Sequence, residues 1–88
     1  MVNDVFNLKI KSVATNIRKL REYRNYTQEY LAMKLDISQN AYSKIELGYT
    51  KITLERLYQI ANLLNIDPVE LLKADPTNIS QLFKKIVN

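Results

Sequence analysis

Two helix-forming patterns in "TQEYLAMKLDISQNAYSKIELG", Thr27 to Gly48, have almost nothing between them. Leu31, Ala32 and Leu35 recur at the spacing of one helix face. Only Asp36 and Ile37 separate Leu35 from Ser38, a residue type suited to cap the next helix through its hydroxyl. Helices joined this closely cannot lie antiparallel in contact and must cross at a steep angle. The spacing also raises a question, because the second helix begins with the polar run Ser38, Gln39 and Asn40.

The rest of the chain is helical by the same criterion, with no sustained alternation of the kind a strand needs. Val13, Ile17 and Leu20 lead a first helix ending near Arg24, and Phe6 and Ile10 carry its stripe back to a start between Asp4 and Ser12. Asn25 suits its left-handed stop, and Thr27 the cap of the second helix. Ser38 caps a third helix running to about Leu47, which Gly48 ends. Thr53 caps a fourth, with the stripe Leu54, Leu57, Ile60, Ala61 and Leu64, closed by Asn65. "DPVELL" starts a fifth, with Asp67 as cap and Pro68 in the first helical position. After Pro76, "NISQLFKKIVN" is a short amphipathic tail. The expected core is Ile17, Leu20, Leu31, Ala32, Leu35, Ile37, Ile45, Leu54, Leu57, Ile60, Ala61, Leu64, Ile66 and Leu71.

Eighty-eight residues suffice for one modest core. The chain has no Cys and no His, which removes disulfides, thiol nucleophiles, histidine acid–base chemistry and ordinary zinc sites together. No cofactor, metal or small-molecule ligand is expected. No apolar run is long enough to span a membrane, and the first ten residues lack the pattern of a secretory signal, so a cytoplasmic setting is expected. Residues 1–26 carry six Lys/Arg against two acids, while residues 27–88 balance, so all of the net charge of +4 lies before Thr27. A basic segment suits a polyanionic partner.

Residues 13–72 resemble the Cro/CI repressor-like (XRE-type) helix-turn-helix family of DNA-binding regulators. The matching runs are "IRKLREYR", "TQEYLA", "SQNAYSKIELG" and "TLERLYQIANLLNIDPVELL", in the family's order. Two positions depart from it: Asp36 stands where the family commonly has Gly, and Tyr42 where Ile or Val is frequent. The resemblance implies an all-α, compact five-helix lambda-repressor-like domain over residues 13–74. Residues 1–12 are then an N-terminal extension or the start of the first helix. Residues 75–88 are a tail with a short extra helix and candidate dimer contacts.

The resemblance also assigns candidate roles. Gln39, Asn40, Ser43 and Lys44 would read bases of double-stranded DNA in the major groove, since Asn and Gln suit adenine and Lys suits guanine. Thr27 and Gln28 at the start of the second helix would hold phosphate, the glutamine also steadying the third helix, with Tyr49, Thr50 and Lys51 in the loop after the third helix. Lys19, Arg18 and Arg24 are weaker phosphate candidates. Arg21 and Glu46 would form a partly buried ion pair. A homodimer on a two-fold operator would draw on Leu72, Ile79, Leu82, Phe83 and Ile86, with packing of the tail on its own core, against Phe6 and Ile10, as the alternative. The role implied is a small repressor, a restriction–modification controller or an antitoxin. A protein-interaction module on the same scaffold is the rival reading, and an enzyme is not expected.

Overall fold

A computed structural model describes residues 2–84, with side chains from residue 5 onward; Ile86 lies outside the described residues. The helices are α1 (Val2–Tyr23), α2 (Gln28–Leu35), α3 (Gln39–Glu46), α4 (Leu54–Leu64), α5 (Pro68–Lys73) and, after a 3-10 turn at Pro76–Asn78, α6 (Ser80–Phe83). No described helix is long and apolar enough to cross a membrane. The first helix thus begins ahead of the expected range, and residues 2–12 are its opening turns.

Local signals start and stop these helices. Thr27, Ser38 and Thr53 each accept from the backbone N–H three residues on, at 3.0–3.1 Å. Asp67 accepts from Val69 N at 2.8 Å. Each satisfies one of the donors that a helix start leaves unpaired. The first four helices end alike, at Asn25, Asp36, Gly48 and Asn65, all with φ between 58° and 77°. After each, the next residue donates back across the last turn: Tyr26 to Arg21, Ile37 to Ala32, Tyr49 to Lys44 and Ile66 to Ala61. This is the Schellman closure, and Asn and Asp adopt it at lower cost than other side chains. Asp36 therefore completes the α2–α3 turn without glycine.

Gly48 is more demanding. A Cβ there would lie 3.2 Å from Lys11 Cγ and 3.5 Å from Lys11 Cα, because α1 passes directly over it. Gly48→Ala meets both the left-handed backbone and this close approach. We expect it to lower stability by about 1–2 kcal/mol, read as a fall in Tm of roughly 4–16 °C.

The core gathers Ile17 and Leu20 of α1, Leu31 of α2, Ile60 and Leu64 of α4, and Leu71 of α5, all fully buried. Each such side chain contributes roughly 1.5–3 kcal/mol by leaving water. Ile37 is half-buried at its edge. Leu54 departs from expectation: it lies on the helical stripe of α4 yet is 65% exposed, because nothing in the described chain covers the first turn of that helix.

The described part of the tail packs on its own chain, at the opposite end of α1 from Phe6 and Ile10. Leu82 is 2% exposed within the core, and Ile79 and Phe83 pack against that core. The Phe83 ring stacks on Tyr23 at 4.1 Å, far along the helix from Phe6 and Ile10. Lys19 Nζ donates to Pro76 O at 2.9 Å, holding the 3-10 turn. Asn16 is a fully buried polar residue that apolar periodicity does not mark. Its amide donates to Leu71 O at 3.1 Å and Ala74 O at 3.0 Å, closing the end of α5 over α1.

Candidate nucleic-acid interface

The third helix has two unlike sides. Tyr42, Ile45 and Glu46 point inward and are buried. Gln39, Asn40 and Lys44 are exposed, and Ser43 is half-buried between the sides. Asn40 and Lys44, four apart, lie one turn from each other on the outer surface.

What holds this helix in place is the Glu46 carboxylate, whose side chain is 2% exposed. One oxygen accepts from Arg21 Nε at 2.7 Å and from the Tyr42 hydroxyl at 2.6 Å. The other accepts from Gln28 Nε2 at 3.0 Å and Arg21 Nη2 at 3.2 Å. Arg21 Nη1 also donates to Tyr26 O at 2.8 Å, bracing the turn before α2. Three helices thus converge on one carboxylate, and both of its oxygens are fully used. The hydrogen bond to Glu46 raises the Arg21 pKa against the opposing effect of burial. Burial, and then the bond to Glu46, raise that of Tyr42. At neutral pH the tyrosine is therefore a neutral donor and the arginine a cation. The Tyr42 hydroxyl, introduced where an aliphatic residue would otherwise pack, has its partner within the same helix.

Beside the exposed side of α3 runs an open groove of about 470 Å³ between that helix, the loop after it and the start of α4. Asn40, Lys44, Thr50, Lys51, Thr53 and Arg56 are among its lining residues, which include three cations and no acid. Arg56 has no place in the reading from sequence. Its Nη1 donates to Leu35 O at 3.3 Å, the last residue of α2, and to Gln59 Oε1 at 3.0 Å. One signal in the sequence does mark it. A cation in the first turn of a helix opposes the helix dipole, so Arg56 calls for a compensating anion or acceptor nearby.

A family model described as Helix-turn-helix matches residues 17–71, more than half of the chain. The chain belongs to this helix-turn-helix family. The matched residues include all of α2 and α3. Two curated relatives are similar to it. One is the "Uncharacterized HTH-type transcriptional regulator YqaE" of Bacillus subtilis, 32% identical over 75 residues, covering 83% of this chain and 65% of that protein. The other is the "Uncharacterized HTH-type transcriptional regulator y4dJ" of Sinorhizobium fredii, 34% identical over 61 residues, covering 69% of this chain and 79% of that protein. The chain thus spans slightly less than two thirds of the Bacillus relative's length. A comparison with solved structures finds no match.

Within this helix-turn-helix scaffold the remaining candidates separate. Tyr49, Thr50 and Lys51 are exposed in the loop after α3, and Tyr49 is 75% exposed. Thr27 is exposed at the start of α2, its hydroxyl engaged as the cap. The Gln28 amide turns inward to Glu46, so its side chain steadies α3. The Lys19 ammonium donates to Pro76 O, on the side where the tail packs. Arg24 likewise donates inward, to Leu64 O at 2.7 Å.

Proposed function

We propose that this protein is a sequence-specific, double-stranded-DNA-binding transcriptional regulator that lays α3 in the major groove and acts as a homodimer on a (pseudo)palindromic operator. Membership of the helix-turn-helix family, with relatives named as transcriptional regulators, supports DNA binding and regulation. The observation that carries the finer reading is the outer side of α3. Gln39, Asn40 and Lys44 are exposed there, while the inner side of the same helix is locked through Glu46 to α1 and α2. A reading helix needs both properties, because base discrimination depends on donors and acceptors held at fixed positions. Ser43, at the edge of that surface, is the fourth base-reading candidate.

Phosphate contacts fall to the backbone N–H groups that open α2 at Thr27 and Gln28, and to Tyr49, Thr50 and Lys51. Arg56 joins this set, because its guanidinium lines the acid-free groove beside Asn40 and Lys44. A role as a small repressor, a restriction–modification controller or an antitoxin fits this layout, and the genes adjacent to its own would choose among them.

Selection from a random DNA library, followed by sequencing, tests the reading. A recovered consensus with two-fold symmetry is the expected result. Failure to enrich any sequence at low or moderate salt would instead favour a protein-interaction module on the same scaffold. Arg56→Gln is expected to weaken binding alike across sequences and to reduce the slope of log K against log salt by about one unit. A change in the selected consensus would show that Arg56 reads bases.

A further inference from the structure

The family match begins at residue 17, and α1 runs well ahead of it, from Val2. Residues 5–12 carry Lys9 and Lys11 and no acid. They belong to the basic segment before Thr27, and the structure divides the six cations of that segment. Lys19, Arg21 and Arg24 each donate to a distant part of the chain, to Pro76 O, the Glu46 carboxylate and Leu64 O. Lys9, Lys11 and Arg18 are exposed.

The opening turns of α1 set two of these cations against the loop after α3. Lys11 lies at the start of the loop, where a Cβ on Gly48 would be 3.2 Å from Lys11 Cγ and 3.5 Å from Lys11 Cα. Lys9 lies toward its end, lining an open groove with Ile52 and Thr53. Two positions along a helix are about 200° apart around its axis, so these lysines stand on opposite sides of α1. The helix therefore meets the loop with one lysine at each end. Ile52 and Thr53 also line the groove of Asn40, Lys44, Lys51 and Arg56, so the cations of α1 adjoin those beside α3. Neither groove has an acid among its lining residues.

We propose that the opening turns of α1 are a further DNA-binding element, in which Lys9 and Lys11 bind backbone phosphates beside those held by Tyr49, Thr50 and Lys51. This rests on the DNA-binding reading and extends it to residues ahead of the family match. A lysine carries its charge outward on a flexible stem whose methylenes stay on the protein, so it follows a backbone that the neighbouring loop holds. A mobile point charge suits phosphate rather than a base edge, so these residues add affinity and leave sequence preference alone. The competing role for Lys11 is internal, because a cation near the end of α3 complements the negative end of that helix's dipole. The internal role acts on stability and the external one on salt dependence.

Binding to the duplex recovered by library selection, measured over a range of salt, tests this with Lys9→Gln, Lys11→Gln and the double variant. Lys73→Gln, on the exposed surface of α5, is the control for net charge. Each single variant should lower the slope of log K against log salt by about one unit, and the double variant by about two. The loss should be alike on the selected duplex and on unrelated ones, with the consensus and the Tm unchanged. Hydroxyl-radical footprinting should show fewer protected backbone positions for the double variant. A double variant whose slope matches that of wild type or of Lys73→Gln overturns the proposal and leaves the DNA-binding reading standing. So does a Lys11→Gln protein that loses stability at an unchanged slope, which returns that lysine to the dipole of α3. If the variants lower the slope but the wild-type chain enriches no sequence, the backbone contact stands and sequence-specific reading falls. A wild-type chain that binds no duplex at any salt overturns both.

Discussion

Glu46→Ala is expected to cost about 3–5 kcal/mol of stability, the range for removing one partner of a buried ion pair. For a domain of this size that is a fall in Tm of about 12 °C or more. The cost comes from what remains. Arg21, whose side chain is 12% exposed, keeps its charge and loses its carboxylate partner, and Gln28 and Tyr42 each lose the bond they donate to Glu46. Arg21 also lies 4.0 Å from Glu22, but Glu22 is 58% exposed, so that contact is screened and contributes little. Glu22→Ala is the matched control and should change stability by less than about 0.5 kcal/mol. Glu46→Gln should fall between them, since the groups around the carboxylate are all donors and an amide offers only one oxygen. Thermal unfolding followed by circular dichroism reads all three. A Glu46→Ala protein that melts with wild type would remove the carboxylate from its place as the anchor of α3.

Asn40→Ala and Lys44→Ala should have the opposite profile. Both side chains are exposed, so each variant should keep its stability to within about 0.5 kcal/mol. Each should nevertheless lose about 1–3 kcal/mol of discrimination at the base it reads, roughly a 5- to 150-fold relaxation at that position. Competition binding with single-base variants of the selected operator separates the two. Lys44→Ala should also flatten the salt dependence if its ammonium lies near phosphate as well as base. Unaltered binding to the selected site in both variants would move base reading off this surface of α3. Stability lost without base preference, or base preference lost without stability, distinguishes the inner side of α3 from the outer one.

Much of the helix framework was legible because its signals act over a few residues. Thr27, Ser38, Thr53 and Asp67 cap where their chemistry suggests, and Asn25, Asp36, Gly48 and Asn65 stop helices in the left-handed region. The Arg21–Glu46 pair, 25 positions apart, was reached through family resemblance, since nothing local to either residue indicates it. The inward turn of Gln28 was likewise reached only through the resemblance: a polar residue opening a helix reads equally, from its neighbours alone, as a phosphate contact and as a brace. Leu54 and Leu82 show the same limit from the apolar side. Each lies on a helical stripe, yet one is open to solvent and the other sits in the core, because periodicity gives a helix a face without saying what arrives to cover it.

The chain by itself determined that short capped helices form, that α2 and α3 follow one another through a tight turn, and that α3 opens with exposed polar residues. These follow from cap hydroxyls, left-handed stops and a two-residue gap, all governed by neighbours in sequence. Only the tertiary structure decided which groups meet across 37 or more positions. Asn16 closes α5, Lys19 holds the turn at Pro76, and α1 passes so close over residue 48 that a Cβ there would crowd Lys11. It also decided that Arg56 comes to line a groove with Lys44 and Lys51, and that Phe6, Leu54 and Leu72 are exposed among the described residues. Such contacts depend on how whole helices pack, and that packing is a property of the summed core rather than of any local run of residues.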